Sequence, residues 1–220
     1  PIRNFLNIAL QLADALSVIH QAQVIHKGLH PGNLLINPET RRVQIINFGQ
    51  ASLLSREEQA LQPPAKLEGL LPYLSPEQSG RMNRALDYRT DFYTLGVTFY
   101  ELLVGELPFA GDDALGIIHA HLAHQQIPVT ERRPEIPRLL SSMIDKLLHK
   151  TAENRYQSAW GLAQDLKRFN AAFAASAPLR DFTLGLGDIS DRLRIPQTLY
   201  GREVEINVLL KQFHLVTGGH

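Results

Sequence analysis

The chain has 220 residues, of which 44% are hydrophobic and 20% are charged, a balance that excludes disorder over the whole length. Twenty-two basic and 22 acidic residues give a formal net charge of zero, so no overall field attracts the protein to nucleic acid or to an anionic membrane. The sequence has no cysteine, which excludes disulfides, cysteine nucleophiles and thiolate metal sites and suits a cytoplasmic location.

The first elements are a helix and a hairpin. Apolar residues recur at helical spacing over residues 5–21, which predicts an amphipathic helix with one buried face. Two β-rich runs, 34–36 and 43–46, are joined by a turn at 37–40 and predict a small hairpin. Residues 50–72 lack periodicity and are interpreted as a long irregular segment. Because the chain begins at Pro1 inside a helical pattern and has no run long enough to span a bilayer, we expect an excerpt of a longer protein.

The second half is predicted to be rich in helices. The predicted helices cover residues 90–104, 113–124, 139–150 and 159–173. We expect Asp112 to cap the second of them. A composition rich in Ala, Ser, Pro and Gly then indicates a linker, placed at 175–198, before a last amphipathic helix that begins after Gly201.

Five short motifs carry the functional argument. The loop His26-Lys27-Gly28-Leu29-His30-Pro31-Gly32-Asn33 lies between the first helix and the hairpin, and Asn47-Phe48-Gly49 follows the hairpin. Further along come Ser75-Pro76-Glu77, then Asp91-Phe92-Tyr93-Thr94-Leu95-Gly96, and finally Arg155. In this order, over residues 5–173, they resemble the protein-kinase motifs H-R-D-L-x-x-x-N, D-F-G, A-P-E, the start of the central helix and a late arginine.

The resemblance is to the C-terminal lobe of the protein kinase domain. It implies a mainly α (α+β) fold with a small β-hairpin over residues 1–174, and ATP and Mg²⁺ as cofactors. The Gly-rich loop and the strand lysine of the N-lobe would precede Pro1 and do not occur in this sequence.

Several matched positions lack the family's chemistry. Gly28 stands at the position of the catalytic base, Asn47 at that of the magnesium-binding aspartate, and His30 at that of the catalytic-loop lysine. Leu70 replaces a threonine that bonds the base. Asn33 keeps the second metal-ligand position, so Asn33 and Asn47 together predict a weak metal site at most.

The remaining matched residues are assigned to nucleotide contact or to structure. Phe48 and Gly49 complete the cofactor-binding motif, and Phe48 is expected to act by packing. The resemblance implies an ion pair between Glu77 and Arg155, and it makes Asp91 an acceptor for backbone amides of the catalytic loop.

The histidines and arginines have competing interpretations. We expect His26 to hold the loop rather than to do chemistry, whereas His30 could replace the missing base. Metal ligation and a solvated helix face are the alternatives for His119, His121 and His124, and the solvated face is favoured. Binding of an anion and local loop bonding are both open for Arg81, Arg84 and Arg89, while Arg132 and Arg133 are interpreted as surface charge.

A narrower resemblance comes from residues 75–84, 87–93 and 150–159, which are similar to bacterial proteins that join a Ser/Thr kinase domain to ATPase, GAF and histidine-kinase modules. The tail around 188–203 resembles the entry to that ATPase module, so residues 199–220 are interpreted as its truncated start. The G-x-x-x-x-G-K-[ST] phosphate loop of such a module does not occur in the sequence.

The sequence therefore favours a degenerate kinase-like module of a bacterial signalling protein. Its partners would be proteins or other domains of the same parent chain, and neither nucleic acid nor a membrane. One alternative is an active Ser/Thr kinase whose N-lobe lies outside this chain, and another is a gene fragment without function.

Overall fold

The structure is a computed structural model, and it describes residues 2–54, 71–81, 86–176 and 182–189. The described residues all belong to one compact unit, Pro1–Ile189. The predictions for Leu70, for Arg84 and for the segment 199–220 lie outside the described residues.

The fold is mainly α, as the sequence predicted. Its helices, in chain order, are α1 (Ile2–Gln21), α2 (Arg89–Val104), α3 (Ala114–Ala123), α4 (Val129–Arg132), α5 (Arg138–Leu147) and α6 (Ala159–Ala174). Four of them agree with predicted helices within a few residues, and α1 agrees with a fifth. The single turn α4 was not predicted, because four residues are too few for a periodic pattern.

Two antiparallel pairs of short strands accompany the helices. Strands β2 (Leu34–Ile36) and β3 (Val43–Ile45) form the predicted hairpin, with Leu34 opposite Ile45. Strands β1 (Val24–Ile25) and β4 (Ser52–Leu53) form a second ladder that was not predicted. The second ladder joins the two residues before the 26–33 loop to the segment that follows the hairpin.

Helix α2 is the centre of the domain. Every residue from Arg89 to Tyr100 is buried, because α1, α4 and α5 all pack around it. Helix α1 lies against α6 along much of its length and presents its apolar stripe to the core. Phe5 of α1 and Phe99 of α2 pack edge to face, with their ring centroids 5.2 Å apart.

The expectation that no run is long enough to span a bilayer was wrong for α1, which has 20 residues and a mean hydropathy of 1.2 over its most apolar window. It is the one helix of the described residues that passes this test. Six of its apolar side chains are buried in the domain core: Phe5, Leu6, Ala9, Leu12, Ala13 and Leu16. Its hydropathy is therefore accounted for by packing against α6 and α2.

Two helix ends differ from the prediction. Asp113, and not Asp112, caps α3, since its side chain accepts a hydrogen bond from the Gly116 amide at 2.7 Å. Helix α5 ends at Leu147 rather than near residue 150. The carbonyls of His149 and Lys150 accept hydrogen bonds from the Arg155 guanidinium, and a continuing helix would turn them along its own axis.

The middle of the predicted linker 175–198 belongs to the folded unit. Residues 182–189 pack against α6, and Phe182 and Leu184 contact the main core. The linker prediction was therefore wrong for this stretch. Its Gly-rich composition reflects a tight turn, in which Gly185 and Gly187 have φ of 70° and 78°.

Candidate functional site

The 26–33 loop is attached to α2 by a buried carboxylate. Asp91 lies in the first turn of α2 and is fully buried. Its two oxygens accept hydrogen bonds from the backbone amides of His26 at 2.9 Å and Lys27 at 2.7 Å, and its Oδ2 also lies 2.9 Å from His20 Nε2. Asp91 is thus an acceptor for loop amides, as the kinase resemblance implied.

His26 acts as a support beneath the loop. The amide of Gly28 donates to His26 Nδ1 at 3.3 Å, so the opposite nitrogen Nε2 carries the proton and donates to the Ile46 carbonyl at 3.1 Å. Burial lowers the pKa of His26, in spite of the opposing effect of Asp91, and keeps the ring neutral at pH 7. The ring also packs edge to face on Phe48, with centroids 4.8 Å apart.

Four residues at the matched catalytic and metal positions are joined by hydrogen bonds. Asn33 Nδ2 donates to the Gly28 carbonyl at 2.8 Å and to His30 Nε2 at 2.9 Å. Asn47 Nδ2 donates to Asn33 Oδ1 at 3.1 Å. We call these four residues, Gly28, His30, Asn33 and Asn47, the closed network.

One obligate acceptor sets the orientation of the whole closed network. A backbone carbonyl can only accept, so the Gly28 oxygen requires the amide nitrogen of Asn33. The Asn33 oxygen must then face Asn47, and the Asn47 side chain can donate to it only from its NH₂ group. The second hydrogen of the Asn33 amide faces His30 Nε2, and that nitrogen must be the unprotonated acceptor.

This arrangement occupies the nitrogen with which His30 would act as a base. Burial lowers the pKa of His30, with His26 adding to the effect, and the neutral ring has its one lone pair directed at Asn33. A general base needs a free acceptor near the proton that it removes. The closed network therefore opposes the expectation that His30 replaces the missing base.

The closed network also fits Mg²⁺ poorly. Mg²⁺ binds preferentially to carboxylates and to several oxygens in an octahedron. Here both amide oxygens already accept hydrogen bonds, Asn33 Oδ1 from Asn47 and Asn47 Oδ1 from the Gly49 amide at 3.4 Å. Across the described part of the chain, no group of three or more His, Asp or Glu residues could hold a metal ion. The residues at these positions do not fit the metal.

Asn47 adopts an unusual backbone conformation. Its φ of 61° and ψ of 70° lie in the left-handed region, which asparagine tolerates better than most residues. Phe48 and Gly49 follow in a short 3₁₀ turn, and Phe48 is 48% exposed. Phe48 thus packs on the His26 ring while about half of its surface stays exposed.

The second part of the site is a buried ion pair. Arg155 donates from Nη1 to Glu77 Oε1 at 2.7 Å and from Nη2 to Glu77 Oε2 at 2.9 Å, and both side chains are almost fully buried. Burial alone would raise the pKa of Glu77, but the Arg155 guanidinium and the Thr90 hydroxyl lower it below its usual range. This is the ion pair that the resemblance implied.

Gln78 connects this ion pair to the 26–33 loop. It forms a capping box with Ser75 at the start of the 3₁₀ turn Pro76–Ser79. Its Nε2 also donates to the carbonyl of Lys27 at 2.9 Å. Gln78 was not singled out in the sequence, although its place three residues after Ser75 is the signature of a capping box.

A buried polar cluster near this turn was missed altogether. Tyr93 Oη lies 3.0 Å from His121 Nδ1 and 3.3 Å from Lys150 Nζ, which stacks on the Phe109 ring at 3.9 Å. Burial lowers the pKa of His121 to about 3 and that of Lys150 to about 7. The expectation that His121 belongs to a solvated face was wrong. Its spacing of three residues from the buried Ile118 was the available signal.

Arg89 is bonded locally. Arg89 donates to Asp87 at 2.9 Å, to Glu153 at 3.2 Å and to Gln157 Oε1 at 2.9 Å, so local bonding is the correct interpretation of this residue. Arg132 and Arg133 face Glu106 and Glu135 on the surface, as expected.

Comparison with known proteins agrees with this geometry. The family model described as "Protein kinase domain" matches residues 2–167. The chain belongs to the protein kinase family. It is 34% identical to the serine/threonine-protein kinase PknB of Mycobacterium leprae over 81% of the chain and 32% identical to that of Mycolicibacterium smegmatis over 80%.

A third relative is of another kind. The hybrid signal transduction histidine kinase G of Dictyostelium discoideum is 28% identical, and the match takes in 99% of the chain. The chain spans 28% of the length of each PknB relative and 9% of the hybrid kinase. This protein kinase chain thus corresponds to a minor part of each of these proteins.

Proposed function

We propose that this chain is a C-lobe-like module of a larger signalling protein that has lost phosphoryl transfer and acts by binding proteins or other domains of its parent chain. The observation that carries the proposal is the closed network. It fills the positions of the family's base and metal ligands with neutral groups whose bonding capacity is used internally.

Phosphoryl transfer in kinases depends on positioning and on charge compensation by metal ions. Gly28 offers no side chain at the base position, and loss of a positioned base costs a factor of about 10² to 10⁴ in rate. Asn47 is neutral where the family has a magnesium carboxylate, so the metal that brings ATP into line lacks its anionic ligand. Together these changes support a domain without measurable transfer.

The structural residues of the family support a retained binding role. Asp91, Glu77 and Arg155 keep their charges and are buried and bonded, so the helical body is preserved while the chemistry is altered. The match of 99% of the chain to a hybrid signal transduction histidine kinase supports a place within a multidomain signalling protein. The proposal includes a cytoplasmic location.

The test is a transfer assay with radiolabelled ATP and Mg²⁺ on the full-length protein. We expect no incorporation above that of a heat-denatured control, and no stabilisation by ATP that depends on Mg²⁺. Incorporation that is abolished by Asn33→Ala would overturn the proposal. Asn37→Ala, in the exposed turn between β2 and β3, is the matched asparagine control.

The second candidate is an active Ser/Thr kinase that uses ATP and Mg²⁺ with an N-lobe from outside this chain. Its support is the identity of up to 34% to proteins named serine/threonine-protein kinases, together with the retained Asn33. This candidate requires the closed network to open so that Asn33 and Asn47 turn their oxygens to a metal. The same assay decides between the two candidates.

A further inference from the structure

The C-terminal strap, residues 182–189, is held on the domain by specific contacts along its length. At its start, the Phe182 ring lies 4.1 Å from the guanidinium carbon of Arg168, and the Thr183 carbonyl accepts a hydrogen bond from the same side chain at 3.4 Å. In its middle, the Gly185 amide donates to the buried Asp165 Oδ2 at 2.6 Å. These contacts fasten the strap to α6.

Asp188 attaches the strap to the N-terminus of α6 through both carboxylate oxygens. Its Oδ2 accepts from the Gln157 amide at 2.7 Å, and its Oδ1 accepts from the Ser158 hydroxyl at 2.7 Å. Ser158 is itself the N-cap of α6 and accepts from the Gly161 amide at 2.9 Å. A Cβ added at Gly161 would overlap the Asp188 carboxylate, so the glycine leaves the space in which Asp188 sits.

Gln157, whose amide Asp188 binds, also bonds to the backbone of the 152–158 loop through its side chain. Its Nε2 donates to the carbonyls of Arg155, Glu153 and Ala152 at 2.8, 3.0 and 3.1 Å. Its Oε1 accepts from Arg89 in the first turn of α2. The backbone amide that Asp188 holds therefore belongs to the residue that organises the whole loop.

The 152–158 loop in turn holds the site. Arg155 carries the ion pair to Glu77, and the neighbouring Gln78 donates to the Lys27 carbonyl in the 26–33 loop. Hydrogen bonds and the covalent links within Gln157 and between Glu77 and Gln78 thus connect Asp188 to the 26–33 loop. Such a series transmits a change only when one of its members has two states.

We infer that the C-terminal strap has two states, docked on α6 and released. When it is docked it acts as a latch that holds the 152–158 loop in place and, through Glu77, the Pro76–Ser79 turn. The strap is short, and its Leu186 and Ile189 side chains are 68% and 76% exposed, so only Phe182 and Leu184 hold it by apolar packing against the core. Release removes the Asp188 bonds from Gln157 and Ser158 while the apolar core stays packed. This inference stands whether or not the domain transfers phosphate.

The test is amide hydrogen exchange of the full chain and of its Gly161→Ala variant. Alanine is a better helix former than glycine, so the substitution displaces Asp188 without weakening α6. We expect exchange in residues 182–189 to approach the unprotected rate. We also expect exchange in 152–158 and 76–79 to rise by at least about fivefold, while the buried face of α1 is unchanged.

A second variant, Asp188→Ala, removes the carboxylate directly and carries the test if Gly161→Ala does not fold. The exposed Leu186→Ala is the matched control within the strap and should leave exchange unchanged. The inference is overturned if the strap of the unaltered chain exchanges freely. It is equally overturned if the strap is released without effect on 152–158 and 76–79, or if α1 loosens to the same extent as these segments.

Discussion

The closed network and the Glu77–Arg155 ion pair both occupy conserved positions of the kinase motifs, and they have diverged in opposite ways. In the closed network, neutral residues at the positions matched to charged groups of the kinase motifs bond one another. In the ion pair both charges are retained, fully buried and bidentate. A catalytic charge can be lost without unfolding the domain, whereas removal of one partner of a buried ion pair leaves an uncompensated charge in the core.

The largest effect is expected from Arg155→Met, which leaves the buried Glu77 without its partner. The free energy of unfolding should fall by about 3–5 kcal/mol, as measured by urea denaturation. Lys167→Met is the control, because Lys167 and its ion-pair partner Asp14 have side chains that are 51% and 60% exposed. It should cost less than about 0.5 kcal/mol. A loss for Arg155→Met as small as that of the control would contradict the contrast between the two regions.

The next largest loss of stability is expected from substitution of Asp91, the buried carboxylate that binds the 26–33 loop. Asp91→Ala removes the acceptor of the His26 and Lys27 amides and should cost about 2–4 kcal/mol, since both amides lose their partner in the interior. Asp91→Asn keeps one acceptor oxygen and should cost less. Urea denaturation measures the loss of stability in both variants. Faster hydrogen exchange of the His26 and Lys27 amides in the alanine variant would show that the loss arises at these two hydrogen bonds. Equal losses for the two variants would show that the hydrogen bonds are not the cause.

A pH effect is expected from Lys150, whose folded pKa of about 7 lies below its ordinary value because of burial. Between pH 7 and 10 the unfolded chain binds the Lys150 proton more strongly, so stability should rise with pH over this window and be lost as the pH falls back to 7.

The size of this rise should be about 1–2 kcal/mol, because solvent reaches part of the side chain and the Phe109 ring favours the cation. The readout is the difference between urea denaturation of the unaltered chain and of Lys150→Met at each pH. A difference that is constant from pH 7 to 10 would refute the assignment.

The smallest effect is expected in the closed network itself. Asn47→Asp replaces an NH₂ donor by a carboxylate facing Asn33 Oδ1, which should cost about 1 kcal/mol without metal. Millimolar Mg²⁺ should restore part of the lost melting temperature, because the site gains an anionic ligand. The unaltered chain and the exposed turn variant Asn37→Asp should not respond to Mg²⁺. A response of the unaltered chain would show that its asparagines already bind the metal.

Much of the fold was predictable because it rests on local patterns. The long helices follow from apolar spacing, and the β2–β3 hairpin follows from two β-rich runs around an Asn-Pro turn. The β1–β4 ladder was not predictable, since it pairs two-residue strands that are far apart in the sequence, with Val24 opposite Leu53 and Ile25 opposite Ser52. The C-terminal strap was placed in a linker because its two glycines, Gly185 and Gly187, are as typical of flexible segments as of tight turns.

By itself the sequence determined the order of the motifs and the absence of an ionisable side chain at Gly28 and Asn47, because residue identity alone decides whether a side chain can carry a charge. Only the tertiary structure decided that Asn33, Asn47 and His30 satisfy one another, and that Asp188 reaches the loop of Arg155. The reason is that hydrogen bonds between residues many positions apart depend on how the elements pack, and one-dimensional spacing does not contain that information.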